Sequence, residues 1–422
     1  MKREDIYYVL FEQQKDFLKD RDFFERELKN KVLSLLNLKL PIIITGVRRS
    51  GKSTLLYIIK KDLKLKEKKF LYINFNDERL SQFSVEDFQK IMDFIQEQEY
   101  KENCFLFIDE IQEVDKWEKW IDRIKENHQI IITGSNSKLL SKEISTILTG
   151  RSINVSLYLF SFTELLEAKK VHTKNWEVDL NVQSKIRKEF SEYIISGGLP
   201  KRIIENDDII LQENYENILY RDIIKRFNIN LEKPIKEISL YLLSNISKEL
   251  SLRSLSKTIE IKNISTVKSI LDTFEKAFVL FFINKFDFSI KKQIKNPKKV
   301  YCVDNGFITK GGFKFSENKG KLLENIVFIK LKNKYNNEIY YFSDKNECDF
   351  IVRVDSKIEK AIQVCYDLND ENKEREINGL INAMEKFNLK SGLILTLDKD
   401  EEIKKDNKRI KIQSIWKWLL ES

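Results

Sequence analysis

The chain has 422 residues, 42% hydrophobic and 33% charged, a balance that excludes a disordered or fibrous polymer and is too long for one core, so two or three domains are expected. Lys and Arg exceed Asp and Glu by 75 to 66, a net +9 that leans only weakly towards a polyanionic partner. The 4 cysteines form no CxxC pair, the 2 histidines no metal constellation, and no apolar run approaches the roughly 20 residues that span a bilayer, which predicts free thiols, a cytoplasmic location and no membrane partner.

Residues 1–40 read as a charged helical segment without chemistry of its own. From residue 41, short apolar runs alternate with helical patterns: Ile42–Thr45, Phe70–Phe75, Cys104–Asp109, Ile130–Thr133 and Ser152–Leu157. Nearly continuous apolar strands between helices predict a parallel sheet covered on both faces, an α/β core over 41–160. Residues 161–234 read as a helical lid, broken at "SGGLP". Over 235–309 two helical patterns, joined by a polar turn, precede two apolar runs that flank "SIKKQIKNPKK". Val267, Ile270, Leu271, Phe274 and Phe278 share one face of the second helix, with Ser265 as its expected N-cap, and the order predicts a winged helix-turn-helix. A linker at 310–320 leads to a third, small α/β domain over 318–422. It has helices at "KLLENIVFIKLKNKY" and "NKEREINGLINAMEKF" and strands at "EIYYF", "CDFIVRV", "AIQVCY" and "GLILTL".

The stretch "GVRRSGKST" carries the first chemistry. Gly46 and Gly51 let the backbone turn its N–H groups towards phosphates, Lys52 supplies positive charge, and Ser53 brings a hydroxyl to Mg²⁺. A strand precedes the loop and a helix follows it, so the helix dipole also favours an anion. Gly46, Arg48, Arg49, Ser50, Gly51, Lys52, Ser53 and Thr54 are the expected ATP-binding residues, with ATP and Mg²⁺ as cofactors. Arg48 and Arg49 are not needed to cradle phosphates and are candidates for coupling the site to other parts of the chain. In "CFLFIDE", Asp109 ends an apolar strand where it can hold the metal's water shell, and Glu110 can polarise the attacking water. The strand candidate at Phe70–Phe75 lies between the loop and this pair in sequence, an order that implies an extra central strand. At the end of "IIITGSNS", Asn136 or Ser135 is the candidate γ-phosphate sensor. In "LTGRS", Arg151 is either an arginine finger for a neighbouring subunit or a surface ion-pair partner.

With these stretches the chain resembles the prokaryotic AAA-type ATPases that carry a C-terminal domain formerly of unknown function. The matching stretches are "GVRRSGKST", "FLFIDEIQEVDKWE", "IITGSNSKLLSKEISTILTGRS", "LFSFTELL", "SGGLPK", "YRDIIKR", "KVYCVDNGF", "ECDFIV" and "IQVCYDLNDENKEREINGL". The resemblance implies a P-loop core of the additional-strand class, a winged helix and a restriction-endonuclease-like terminal domain. In it, Gly46, Lys52 and Ser53 bind phosphate and metal, and Asp109 and Glu110 form the metal and base pair.

An endonuclease-like domain needs carboxylates around a metal and a lysine near the attacking water. Glu324, Asp349 and Gln363 take the carboxylate positions here. Cys365 stands where the lysine belongs, which points to a degenerate domain that binds nucleic-acid structure; the alternatives are a purely structural or oligomerising domain and an active nuclease in which a lysine from elsewhere in space substitutes. On the winged-helix segment, Lys291, Lys292, Lys295, Lys298 and Lys299 are expected at a hairpin tip facing DNA phosphates, with Thr266 and Lys268 on the second helix near the groove. A winged helix that packs on protein is the alternative. The leading functional expectation is an oligomeric ATPase, with a hexamer as one form, that remodels or translocates branched or duplex DNA. The alternatives are a nucleotide-gated regulatory or defence switch and an ATP-dependent DNA nuclease.

Overall fold

The computed structural model describes residues 1–134, 150–227, 231–311 and 319–421. The chain divides into two compact units, Met1–Tyr158 and Leu159–Ser422.

The first unit is built on five parallel strands: β1 (Ile42–Thr45), β2 (Phe70–Asn74), β3 (Phe105–Asp109), β4 (Gln129–Gly134) and β5 (Ile153–Ser156), in the order β2-β3-β4-β1-β5. Ile42, Ile43 and Ile44 are buried, as are Ile130, Ile131 and Ile132, because helices cover both faces and leave no exposed alternation. These include α1 (Arg3–Leu18), α2 (Leu28–Leu35), α3 (Lys52–Asp62), α4 (Phe88–Glu97) and α5 (Trp117–Ile124). The extra strand between β1 and β3 is β4. The run at Phe70–Asn74, which suggested that strand from its place in sequence, lies at the sheet edge instead.

That edge is closed by α1. The Gln13 side chain donates to the Asn74 carbonyl (3.0 Å) and accepts from the Asn74 N–H (2.9 Å). Gln14 does the same with the Phe70 carbonyl (3.1 Å) and the Tyr72 N–H (3.0 Å). Two consecutive amide side chains thus pair with the free backbone of an edge strand, which would otherwise stay unsatisfied under the helix. Phe17, one turn further on, stacks on Tyr72 at 4.0 Å.

The second unit begins with α6 (Phe162–Ala168), α7 (Leu180–Ser196), α8 (Pro200–Glu205) and α9 (Ile209–Ile218). Next come α10 (Glu232–Ser244), β6 (Glu249–Leu250), α11 (Leu252–Thr258), α12 (Ile264–Lys276), β7 (Leu280–Asn284), α13 (Ile290–Lys295) and β8 (Lys298–Cys302). Their antiparallel sheet has the order β6-β8-β7. The apolar face expected on α12 is buried, but its N-cap is Asn263, which accepts from the Ser265 N–H at 2.9 Å, and not Ser265.

The remaining elements are α14 (Asn305–Gly311), α15 (Lys319–Tyr335), β9 (Ile339–Ser343), β10 (Glu347–Val354), β11 (Lys357–Val364), α16 (Lys373–Lys386), β12 (Ser391–Thr396), β13 (Glu401–Lys405), β14 (Lys408–Ser414) and α17 (Ile415–Leu420). They build a mixed six-stranded sheet, β13-β14-β12-β11-β10-β9. The sequence reading missed the β13–β14 hairpin because its strands are rich in charge. Its signal was the Asp406-Asn407 pair, with φ of 51° and 59°, the conformation of a tight hairpin turn.

Two quoted stretches meet inside this unit. Asp304, 2% exposed, accepts from the Gly198 N–H at 2.6 Å and the Gly306 N–H at 2.8 Å. A Cβ on Gly197 would sit 2.1 Å from Asp304 Oδ1, so "SGGLP" and "VDNGF" fit together only with glycine there. Burial outweighs the backbone donors and pushes the Asp304 carboxyl up to about 7. The folded chain therefore keeps a proton that the unfolded chain loses near 3.8, and the second unit is expected to lose stability as pH rises from about 4 to about 7. Thermal unfolding across that range should show a flatter profile for Asp304→Asn, although the variant starts lower for want of one acceptor.

Candidate functional site

β1 delivers the chain to the loop Gly46–Gly51, and α3 leaves it. Gly51 takes φ 92°, a left-handed conformation at the N-cap where a side chain would be strained, and contributes no cap of its own to the first turn of α3. Arg49 is also left-handed (φ 64°) and exposed, and Arg48 is half-buried. Lys52 is 5% exposed, and its Nζ donates to the carbonyls of Gly46 (3.1 Å) and Val47 (3.0 Å). Ser50 Oγ is buried with no hydrogen-bond partner. Ser53 is exposed and Thr54 half-buried, at the start of α3.

The ends of β3 and β4 meet α3 at one carboxylate. Asp109, 1% exposed, accepts from Tyr72 Oη at 3.0 Å, from Thr133 Oγ1 and from the Ser53 hydroxyl. Burial, with the charge of Glu110 next, raises the Asp109 pKa, while the three hydroxyl donors pull it down. This chemistry fits a divalent cation: the donor set is hard oxygen, and a buried carboxylate beside a second carboxylate is the place where added positive charge is favoured. Glu110 is half-buried and left-handed (φ 52°, ψ 41°), and its Oε2 accepts from the Gln112 amide. A glutamate in that region is costly, by about 1–3 kcal/mol, and such residues cluster at functional sites.

Two residues here escaped the sequence reading. Thr133 at the end of β4 touches Asp109 directly. Asn136 and Ser135, the expected sensors, lie outside the described residues. Arg26 comes from the segment that carried no visible chemistry. It is 4% exposed, and its guanidinium donates to the carbonyls of Ser50 (2.6 Å) and Tyr158 (2.7 Å). It ties the crown of the phosphate loop to the chain beyond β5. A lone arginine in a charged helical stretch gives no signal of this. Charge-assisted hydrogen bonds contribute about 1.5–3 kcal/mol each, so Arg26→Ala is expected to weaken nucleotide binding by about 10-fold or more. Calorimetric titration with a non-hydrolysable ATP analogue checks this, and Arg26→Lys should recover part of the loss.

The other expected residues are dispersed. Arg151 is an exposed side chain paired with Asp122 at 3.3 Å within its own chain. Thr266 is half-buried and Lys268 exposed on the first turns of α12. Lys291, Lys292 and Lys295 are exposed on the short helix α13, which forms part of the connection between the antiparallel strands β7 and β8, while Lys298 opens β8.

Lys299 reverses its expectation. It is 2% exposed, and its Nζ lies 3.0 Å from Asp349 Oδ1, 3.3 Å from Glu324 Oε1 and 2.5 Å from Glu347 Oε1. In a strand, neighbouring side chains point to opposite faces, so Lys298 is exposed and Lys299 is inside. Burial alone would lower the Lys299 ammonium, but Glu324, Asp349, Tyr301 and Glu347 together hold it well above its ordinary value. Tyr301, two residues on, donates to Glu324 at 2.7 Å. Gln363 does not turn towards these acids. Its amide donates to Glu376 (2.6 Å), and its oxygen accepts from the Asp349 N–H (3.2 Å). Cys365 is buried, and its thiol donates to the Asp367 carbonyl. The expected metal position between Glu324 and Asp349 is thus held by the chain's own ammonium, and no cluster of three or more metal-ligating side chains occurs among the described residues.

Residues 39–166 match an AAA domain, and residues 187–311 match a domain of unknown function, DUF8612. The chain is 34% identical to the uncharacterized protein MJ1544 of Methanocaldococcus jannaschii, over 90% of this chain and 88% of the relative. It is 32% identical to an uncharacterized protein of Haemophilus influenzae, over 79% and 84% of the two chains. Among solved structures, Cdc6p from Pyrobaculum aerophilum is similar at 15% identity and a TM-score of 0.31, over 63% of this chain and 90% of that one. No helix among the described residues is long and apolar enough to cross a membrane.

Proposed function

The chain belongs to the family of the Methanocaldococcus jannaschii protein MJ1544 and carries an AAA domain, and from that premise we propose that it is a DNA-acting ATPase. The observation that carries ATP hydrolysis is the meeting of Ser53, Asp109 and Glu110 beside the phosphate loop. The first-turn N–H groups of α3, Lys52 and Ser53 would hold the phosphates of ATP, and Ser53 with Asp109 would hold Mg²⁺. A bound metal ion supplies charge neutralisation at the phosphate oxygens. Glu110 accepts a proton from the attacking water, and the Gln112 amide orients its carboxylate for that transfer.

DNA is the proposed partner because the order helix, strand, two helices and a two-stranded connection over 232–302 fits a winged helix. Lys268 on its recognition helix and Lys291, Lys292 and Lys295 on α13 are exposed. The terminal sheet reads as an endonuclease-like domain turned from cutting to binding, since Lys299 is held in ion pairs with Glu324 and Asp349. A homo-oligomer is the proposed working form, with Arg151 exposed for a neighbouring subunit. The test is the ATPase rate with and without single-stranded, duplex and four-way-junction DNA, alongside the native mass. Stimulation by one of these DNAs in an assembled form is expected. A rate that ignores every DNA, with binding no better than to a polyanion control, overturns the DNA reading and leaves the ATPase reading standing.

A further inference from the structure

Three of the five most exposed large apolar side chains among the described residues fall in one short stretch, the connection between β7 and β8. Phe288 is 76% exposed, and Ile290 and Ile294 of α13 are 73% and 70% exposed. The two isoleucines stand four residues apart and so share one side of the helix. Lys291, Lys292, Lys295 and Lys298, all exposed, are interleaved with them. Asp287 is the sole acid between Lys285 and Lys299, and it is engaged within the connection. Its Oδ1 accepts from the Ser289 N–H at 2.8 Å, and its carbonyl accepts from the Gln293 amide at 2.6 Å. Tyr341 of β9 holds the connection at both ends. Its carbonyl accepts from the Phe286 N–H at 2.8 Å, and its hydroxyl donates to the Pro297 carbonyl at 2.7 Å. Phe286 packs edge-on against the rings of Tyr340 (5.5 Å) and Phe387 (5.1 Å). The apolar side chains thus project from a braced base.

We propose that this connection is a DNA wedge: Phe288, Ile290 and Ile294 enter the minor groove and part the stack at one base step, while the lysines hold the flanking phosphates. The proposal rests on the reading of DNA as the partner and adds how the DNA is held and deformed. Large apolar groups left this exposed mark a surface that is covered in function. Charge decides what covers it. Exposed lysines around an apolar tip fit a polyanion with an apolar interior, and duplex DNA offers both, with phosphates outside and base faces within. A second copy of the chain would set these lysines against their own kind. A bilayer surface binds in proportion to buried apolar area, and a helix of six residues supplies little of it. The bracing by Tyr341 fits the same role, since a side chain that parts two stacked bases must not yield at its base. Pyrimidine–purine steps unstack most readily, so the favoured ligand is a duplex with such a step.

The experiment uses full-length protein and a short duplex with 2-aminopurine at a central TA step and a dye at each end. Binding of the parent should raise the 2-aminopurine fluorescence, which reports unstacking, and bring the dyes closer, which reports a bend. The triple variant Phe288→Ser, Ile290→Ser, Ile294→Ser should bind about 10-fold more weakly or worse, with both signals lost at saturation. Its melting temperature and the salt dependence of its affinity should match the parent, because exposed side chains are replaced and no lysine is touched. The companion variant Lys291→Gln, Lys292→Gln, Lys295→Gln should do the reverse. It keeps the unstacking signal at saturation and flattens the slope of log K against log salt by about 2–3. The wedge is overturned if the parent binds DNA without unstacking it, or if the serine variant binds and unstacks as the parent does; either result leaves DNA as the partner. A parent that binds no DNA overturns the wedge and the DNA reading together. Capture by phosphatidylserine vesicles that needs the three apolar residues, with no such need in DNA binding, reassigns the patch to a membrane surface.

Discussion

Glu110→Gln is expected to lower steady-state ATP turnover by about 10²–10⁴-fold while nucleotide affinity stays within a few-fold of the parent. The two neighbouring acids divide their tasks by environment. Asp109 is buried and takes hydroxyl donors from Tyr72, Thr133 and Ser53, so it has no room for an extra proton acceptor's role. Glu110 follows the strand in a left-handed turn, and its carboxylate accepts from the Gln112 amide. Glutamine keeps the size and the contact with Gln112 and removes only the basic oxygen. Single-turnover hydrolysis beside equilibrium binding separates the two effects. A Glu110→Gln protein that hydrolyses ATP at the parental rate would exclude Glu110 as the base. Asp109→Asn should behave differently, losing Mg²⁺-dependent affinity as well as turnover.

Lys299→Met should destabilise the second unit by about 3–5 kcal/mol, because removing one partner of a buried ion pair strands the others. Glu324 and Asp349 would remain inside with the Tyr301 hydroxyl and the Val364 N–H as donors, and Glu347 would lose its ion pair with Lys299. The companion variant decides between charge and shape. Lys299→Met combined with Glu324→Gln and Asp349→Asn removes the stranded charge and should recover most of the loss. Amide hydrogen exchange along β8 and β10 reads this locally, avoiding a single unfolding curve for a chain of two units. Unchanged exchange in Lys299→Met would mean that the ion pairs contribute little to holding β8 against the C-terminal sheet.

The core was legible because β1 to β4 are nearly unbroken apolar runs, and full burial of a strand writes itself into consecutive residues. The Gly-Lys-Ser spacing and the acid pair after β3 were legible for the same reason: their chemistry is local. Lys299 was not. It sits in a run of lysines where its one-residue alternation from Lys298 decides everything, and its partners lie 25 and 50 residues further on. Arg26 was hidden likewise, since its acceptors are backbone carbonyls that carry no residue signature. The position of β2 was misjudged because order along the chain does not give order across a sheet.

The amides of Gln13 and Gln14 have a practical corollary. They make α1 act as a hydrogen-bonding stopper for β2, so the solubility of the nucleotide-binding core is encoded outside the stretch that binds nucleotide. An expression boundary drawn just before β1, where the family match begins, would uncork an edge strand ready to pair with any other chain. The first 18 residues belong with the core in any attempt to isolate it.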